Sequence, residues 1–306
     1  MALNNILMFL ALTGLYEPSA VQQLPDGSFL VVEDEKEQPF SLLSIQPDGK
    51  VSSKALKAGL FQWGDTFWKL DDLEALALDR SGYVYASTSH SRNSGGGEKK
   101  HRDKLVRFKV EGSRVVEPQV VTGLKSALAA KHPVLAAAAA LRDVKTDGGF
   151  NIEAIEISPD QRLLIGFRSP LLGHRAIIAS VENPGALFDN GAAPQVAPTL
   201  ITLDLGGNGI RGMAYIAALG AYLIISGPVG SQAANFGLWF WSGAPAAPAR
   251  RVTVPGLPGF EHAEGVSAAL IDGQPRILIV SDDGSRQEGR YARYLLLDPA
   301  QLQIAP

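Results

Sequence analysis

The chain contains no cysteine in 306 residues. That excludes a disulfide framework, a thiolate nucleophile and any cysteine-ligated zinc or iron–sulfur centre. It also has little excess charge, with 28 Lys and Arg against 31 Asp and Glu. A nucleic-acid backbone demands a concentrated basic face, so nucleic acid is not an expected partner. No long hydrophobic run is present either. The apolar stretch Ile6 to Leu15 is shorter than the ~20 residues a membrane-spanning helix needs, so no membrane partner is expected. That stretch resembles the apolar part of an export signal, and Pro18-Ser19-Ala20 loosely resembles a cleavage site. Yet no Lys or Arg precedes Lys36, so the usual positive leader is missing. We expect a buried strand there and a cytoplasmic protein, with export as the alternative. Gly-x-Ser-x-Gly and His-Glu-x-x-His are absent, which leaves the common serine-hydrolase and zinc-protease readings without support.

What is present is a globular composition, 46% hydrophobic and 19% charged, and a repeat. Five segments share one design, in which an apolar stretch around a polar residue is followed by a turn and a β-rich run. The polar anchors are Glu17, Glu74, Glu153, Arg211 and Glu264. They are followed by Phe29–Asp34, Tyr83–Ser87, Leu163–Arg168, Tyr222–Ser226 and Ile277–Asp282. Pro25-Asp26-Gly27, Asp79 to Gly82, Pro159-Asp160 and Asp272-Gly273 supply hairpin chemistry between the halves. Successive anchors lie 57, 79, 58 and 53 residues apart, and 59 residues lead from the last round to the first. A period that closes across the termini, each interval long enough for four short strands, predicts an all-β, five-bladed β-propeller as a single domain over 1–306. Six blades is the alternative, if the longest interval hides one. That interval carries an insertion, 124–142, with helix-favouring Ala136 to Ala140, expected outside the ring. The run Ile6 to Leu12 is expected to pair with the last blade and close the ring.

Because the two strands of each repeat form an antiparallel hairpin, the anchors and the segments after the second strands converge on one rim. Glu17 meets Glu33, Asp34 and Glu35; Glu74 meets Ser89, His90, Ser91 and Arg92; and Glu153 meets Arg168 and Ser169. Arg211 meets Ser226, and Glu264 meets Ser281 and Asp282. Three readings of this rim stand open. Crowded carboxylates call for compensation, which Ca²⁺ or another divalent cation could supply through Glu17, Asp34, Glu153, Glu264 and Asp282. Arg92, Arg168 and Arg211 could instead staple the glutamates across blades. The same arginines, with Ser89 and Ser91, suit a small anionic ligand through their planar forks. For proton transfer the candidates are His90, Glu74 and His262. The function expected from these groups is metal-assisted hydrolysis of a small anionic ester at the rim. The alternatives are a non-catalytic binding module and an interaction propeller whose rim charges are internal salt bridges.

Several peptides carry a resemblance: Asp71 to Ala77, Thr88-Ser89-His90-Ser91-Arg92, Asn151-Ile152-Glu153-Ala154, Gly166 to Pro170, Gly209-Ile210-Arg211, Ser226-Gly227-Pro228 and Ser281-Asp282-Asp283-Gly284. In that order they resemble the bacterial domain-of-unknown-function family 3616, over about Glu17 to Gly284. The resemblance implies a propeller related to phytase-like esterases and, more loosely, to calcium-dependent lactonases, hence a divalent metal held by Glu and Asp near the axis. Arg211, where the other anchors are Glu, departs from a symmetric carboxylate cage. Gly207-Asn208-Gly209-Ile210-Arg211-Gly212 spells the dinucleotide fingerprint, but a second strand follows where a helix is required, so no nucleotide cofactor is expected.

Overall fold

The computed structural model describes residues 7–33, 39–46, 50–57, 66–142, 148–230 and 235–306. Among these, the strands form five antiparallel sheets, each of four or five strands. The innermost strands are Pro18–Gln23, Leu73–Leu78, Asn151–Ile157, Gly209–Ile216 and Ala263–Ile271, and they surround one axis as blades one to five. This is the five-bladed ring expected from the repeat. The segment after Gly207 enters the strand Gly209–Ile216 directly, so the fingerprint glycines form a turn between strands.

Alternation and turn chemistry explain the blades locally. In blade two the Asp79 carboxylate accepts from the Ser81 and Tyr83 amides at 2.8 and 2.9 Å. Gly82 takes φ +81 there, a left-handed conformation that glycine adopts without a Cβ clash. Each seam between neighbouring blades is filled by its own apolar cluster, five clusters for five seams. A fully buried Leu, Ile or Phe contributes about 1.5–3 kcal/mol, so these seams supply the bulk of what holds the ring.

Blade five is completed by Leu10–Ala11, which pairs antiparallel with Arg293–Leu297. The closing strand is where the sequence placed it, but it is not buried: Leu10 is 50% exposed. An outermost strand has solvent on its free edge, and burial falls instead on Leu12 and Leu15, which follow it inward. At the other end of the chain, Gln303–Ile304 adds a fifth strand to blade four.

The insertion also differs from expectation. It folds into α1 (Leu124–Lys131) and α2 (Pro133–Ala140). Rather than standing clear of the ring, these helices bury Leu124, Leu128, Leu135 and Ala138 in the seam between blades two and three, against Phe150, Ile152 and Phe167. The Ala139 carbonyl then accepts from the Arg92 guanidinium. The alanine run is helical, as its propensity favours, and its leucines select the location.

Candidate functional site

The first two strands of every blade share one irregularity. In blades two to five a single residue of the innermost strand is skipped in the pairing, and it is Glu74, Glu153, Arg211 or Glu264. In blade one the skipped residue is Ser19, two positions after the Glu17 that the spacing suggests. A β-bulge re-aims its extra residue and strengthens the local twist. Here it turns five side chains into the shaft at one level. Each bulge follows an apolar residue and precedes a small one: Pro18-Ser19-Ala20, Leu73-Glu74-Ala75, Ile152-Glu153-Ala154, Ile210-Arg211-Gly212 and Ala263-Glu264-Gly265. In blades four and five the neighbouring blade requires the glycine: a Cβ on Gly212 would lie 2.3 Å from the Glu264 carbonyl oxygen and one on Gly265 3.0 Å from the Ala20 Cα. Blade three carries a second bulge opposite the first, at Arg168, which brings Arg168 against Glu153.

These bulges floor a polar cavity of about 860 Å³ at the mouth of the shaft. On the floor the Glu153 carboxylate accepts from Arg168 Nη1 through one oxygen and from Arg211 Nη1 through the other, both at 3.0 Å. Asn151 Nδ2 also donates to it at 3.0 Å. Arg211 Nη1 reaches Glu264 at 2.9 Å, and both guanidinium groups donate to the Pro228 carbonyl. Burial works against the charge on Arg211, but Glu153, Glu264 and Glu74 together outweigh it and hold its pKa above the ordinary arginine value. Glu264 behaves oppositely. Burial, reinforced by Glu153 and Asp282, outweighs Arg211 and raises its pKa well above the usual carboxylate range. One guanidinium cannot neutralise both glutamates, and Glu153 also holds Arg168. Asp282 lines the same mouth, where withdrawal of its carboxyl from water and then the nearby Glu17 push it up to about 6.

The wall from blade two is a second network. Arg102 donates to Asp71 at 3.3 Å and to Asp72 at 3.0 Å, and Asp72 accepts from the hydroxyls of Ser91 and Ser89. The glycine-rich loop beside it is tied down: Asn93 Oδ1 accepts from the amides of Gly95 and Gly97.

Of the residues singled out in the sequence, Glu17, Glu74, Ser91, Arg92, Glu153, Arg168, Arg211, Glu264 and Asp282 line the cavity. Ser89 is fully buried behind the wall. His90 is not brought to it: its ring is buried, with Nδ1 on Asp103 at 2.9 Å and Nε2 without a partner among the described residues. The left-handed backbone at His90 (φ +55) sits between Ser89 and Ser91, so its neighbours face the shaft network while it faces away. His262 is exposed, with its ring against Phe236, and does not line the cavity. Asp34 and Glu35 lie outside the described residues. Sequence reasoning missed Ser19, Asp71, Asp72, Lys99, Arg102, Arg142 and Asn151 as wall residues. The bulge pattern of apolar, polar and small residues would have found Ser19.

The carboxylates do not form the cage that a divalent cation takes. Both oxygens of Glu153 are engaged by arginines, Glu264 shares one of those arginines, and among the described residues no three potential ligands are grouped for a metal ion.

Among known proteins, a family model described as protein of unknown function DUF3616 matches residues 126–298. No curated protein matches the chain. Solved structures do. A Thermus thermophilus protein described as a candidate oxidoreductase (glucose dehydrogenase) is 18% identical, covers 95% of this chain and 100% of its own, and has a TM-score of 0.49. The PQQ-bound aldose sugar dehydrogenase of Streptomyces coelicolor is 17% identical, with 98% of each chain covered and a TM-score of 0.46. A gluconolactonase of Xanthomonas campestris is 12% identical, covers 97% of this chain and 86% of its own, and has a TM-score of 0.40. At such distances, what each of those proteins binds belongs to that protein.

Proposed function

This chain belongs to the DUF3616 family, and from the chemistry of its hub we propose that the cavity binds a small anionic ester and hydrolyses it by carboxylate acid–base catalysis. The observation that carries this reading is Glu264. It is a carboxyl held toward its protonated form by burial, oriented by Arg211 at 2.9 Å, and open to a large polar cavity. A strongly perturbed acid in the main cleft of a protein marks a candidate for proton transfer. In the proposed step, water attacks the ester centre while Glu74 accepts the proton the water loses. The bond to the leaving oxygen breaks as Glu264 donates its proton to that oxygen. Arg168, whose Nε and Nη1 are engaged by Pro228 and Glu153, lines the cavity and would receive the anionic group. Each carboxyl regains its starting state by proton exchange with solvent.

The Arg168–Glu153–Arg211–Glu264 chain favours a second reading, in which the hub charges only fasten the blades. Buried ion pairs are weak contributors to net stability, whereas the five apolar seams are strong ones, so fastening alone leaves the cavity and the raised Glu264 without a purpose. Glu264→Gln separates the two readings, because it keeps the size and the hydrogen bond to Arg211 but cannot donate the proton. We expect it to fold with unchanged or raised stability and to lower turnover at least about 100-fold on whichever member of a phosphoester, carboxylester and lactone panel the wild type cleaves. A wild type that cleaves none of them, or a variant of undiminished rate, overturns the proposal.

A further inference from the structure

We propose that the hub cavity selects zwitterions, small molecules with a cationic amine at one end and an anionic group at the other, laid across the shaft. This rests on the cavity being the ligand site, as above, and adds a second charge to the ligand. The argument is a charge inventory taken blade by blade. Most of the cavity's charges cancel locally: Arg102 with Asp71 and Asp72, Arg92 with Glu98, and Glu153 and Glu264 with Arg168 and Arg211, whose charge Glu74 also supports. What is left is separated in space. At the border of blades five and one, Glu17 and Asp282 line the mouth, with no ion pair to either among the described residues. They lie close enough that Glu17 is the leading charge acting against ionisation of Asp282. At the border of blades two and three, Lys99 and Arg142 line the same cavity, again with no ion pair among the described residues.

In a ring of five, the seam between blades five and one lies across the axis from blade three, and the seam between blades two and three borders that blade on the far side of the opening. The uncancelled acids therefore face the uncancelled cations over the opening. Gly96 helps to set the cationic side, since a Cβ there would come 2.9 Å from Arg142 Cβ, so the loop can close on Arg142 only as glycine. Asn151, on the innermost strand of blade three, adds an independent pointer. It lines the cavity, is only 7% exposed, and donates to Glu153, yet its Oδ1 has no partner. A buried acceptor left open beside a cavity calls for a donor from a ligand. A simple anion entering this opening is drawn to one side and repelled by the other, and a simple cation the reverse. Only a molecule with both charges satisfies both sides.

The test uses a matched trio at low ionic strength by isothermal titration: phosphoethanolamine, which carries both charges, ethyl phosphate, which carries only the negative one, and ethanolamine, which carries only the positive one. Phosphoethanolamine is expected to bind about tenfold or more tighter than either of the others, the scale of one partly screened charge pair. Glu17→Gln with Asp282→Asn should bring phosphoethanolamine to the affinity of ethyl phosphate. Lys99→Ala with Arg142→Ala should bring it to that of ethanolamine. All four residues are exposed as a whole, although the Asp282 carboxyl is turned out of water, so these variants keep the fold. If ethyl phosphate binds the wild type as tightly as phosphoethanolamine, the zwitterion inference falls while an anion site survives. If none of the three binds, both the inference and the anionic-ligand reading beneath it fall.

Discussion

Glu153 and Glu156 stand three residues apart on one innermost strand, and their surroundings differ in kind. Glu153 occupies a bulge at the mouth, with an arginine on each oxygen. Glu156 lies beyond the bulge, where the pairing is regular and it sits opposite Leu164. It is buried with no ion pair to it among the described residues, and its carboxyl accepts from the Tyr215 amide of blade four at 2.8 Å. Burial pushes its pKa up to about 8. The same strand thus runs from a mouth where Glu153 is matched by two cations to a far end where burial favours the neutral form of Glu156. The bulges make the difference by widening the turn of the backbone where charges need room and partners. Beyond them Ser267 accepts the Gln23 amide across the seam between blades five and one.

The largest expected effect breaks the mouth. Arg211→Ala leaves Glu153 with one cation and Glu264 with none, and should destabilise the protein by about 3–5 kcal/mol in urea denaturation at pH 7. Replacing Arg211, Glu153 and Glu264 together by apolar residues of similar size should recover most of that loss, because the desolvation cost disappears with the charges. A single variant within about 1 kcal/mol of wild type would mean that the mouth is not organised by this pairing.

The next effect belongs to the far end and has the opposite sign. Glu156 has a folded-state pKa near 8 against 4.5 for the unfolded chain. Its contribution to stability is therefore fully present below about pH 4.5, declines as the unfolded chain ionises, and is lost once pH passes about 8. Glu156→Gln keeps the acceptor for Tyr215 and removes the titration. Its stability against pH should be flatter than wild type by up to about 1.4 kcal/mol per pH unit across that window, leaving the variant the more stable form at pH 8. Equal slopes would show that Glu156 is ionised in the folded state.

The ring itself was legible in the sequence, because blade period, hairpin turns and seam-filling apolar runs are local signals that repeat five times. The mouth was legible by composition and less so by register. Spacing put the first anchor at Glu17, 57 residues before Glu74. Pairing puts it at Ser19, because a bulge is defined by what its neighbours do, and the small residue after the anchor is the only trace it leaves in sequence. His90 sits between two residues that reach the shaft network, but a single left-handed residue turns it away, and no periodicity reports a backbone sign. The helices α1 and α2 were readable as helices. Their seat between blades two and three depends on Leu124, Leu128 and Leu135 finding Phe150 and Phe167, a contact made across distant sequence.

The smallest effect sharpens the comparison within the mouth itself, between its paired floor and its unpaired lip. Asp282 is up at about 6 first because its carboxyl is withdrawn from water and second because Glu17 is near. Glu17→Gln removes only the second cause. The Asp282 carboxyl, followed by carbon-detected NMR titration, should then titrate lower than in wild type but still above 3.8, its unperturbed value, because the larger cause remains. The sign of the stability change follows from this shift. A raised carboxyl favours the folded state only at acid pH, so lowering its pKa narrows the window, between about pH 4 and 6, over which its contribution declines. An unmoved titration would place Glu17 and Asp282 too far apart to act on one ligand. A shift all the way to the unperturbed value would mean that repulsion, not burial, governs the lip.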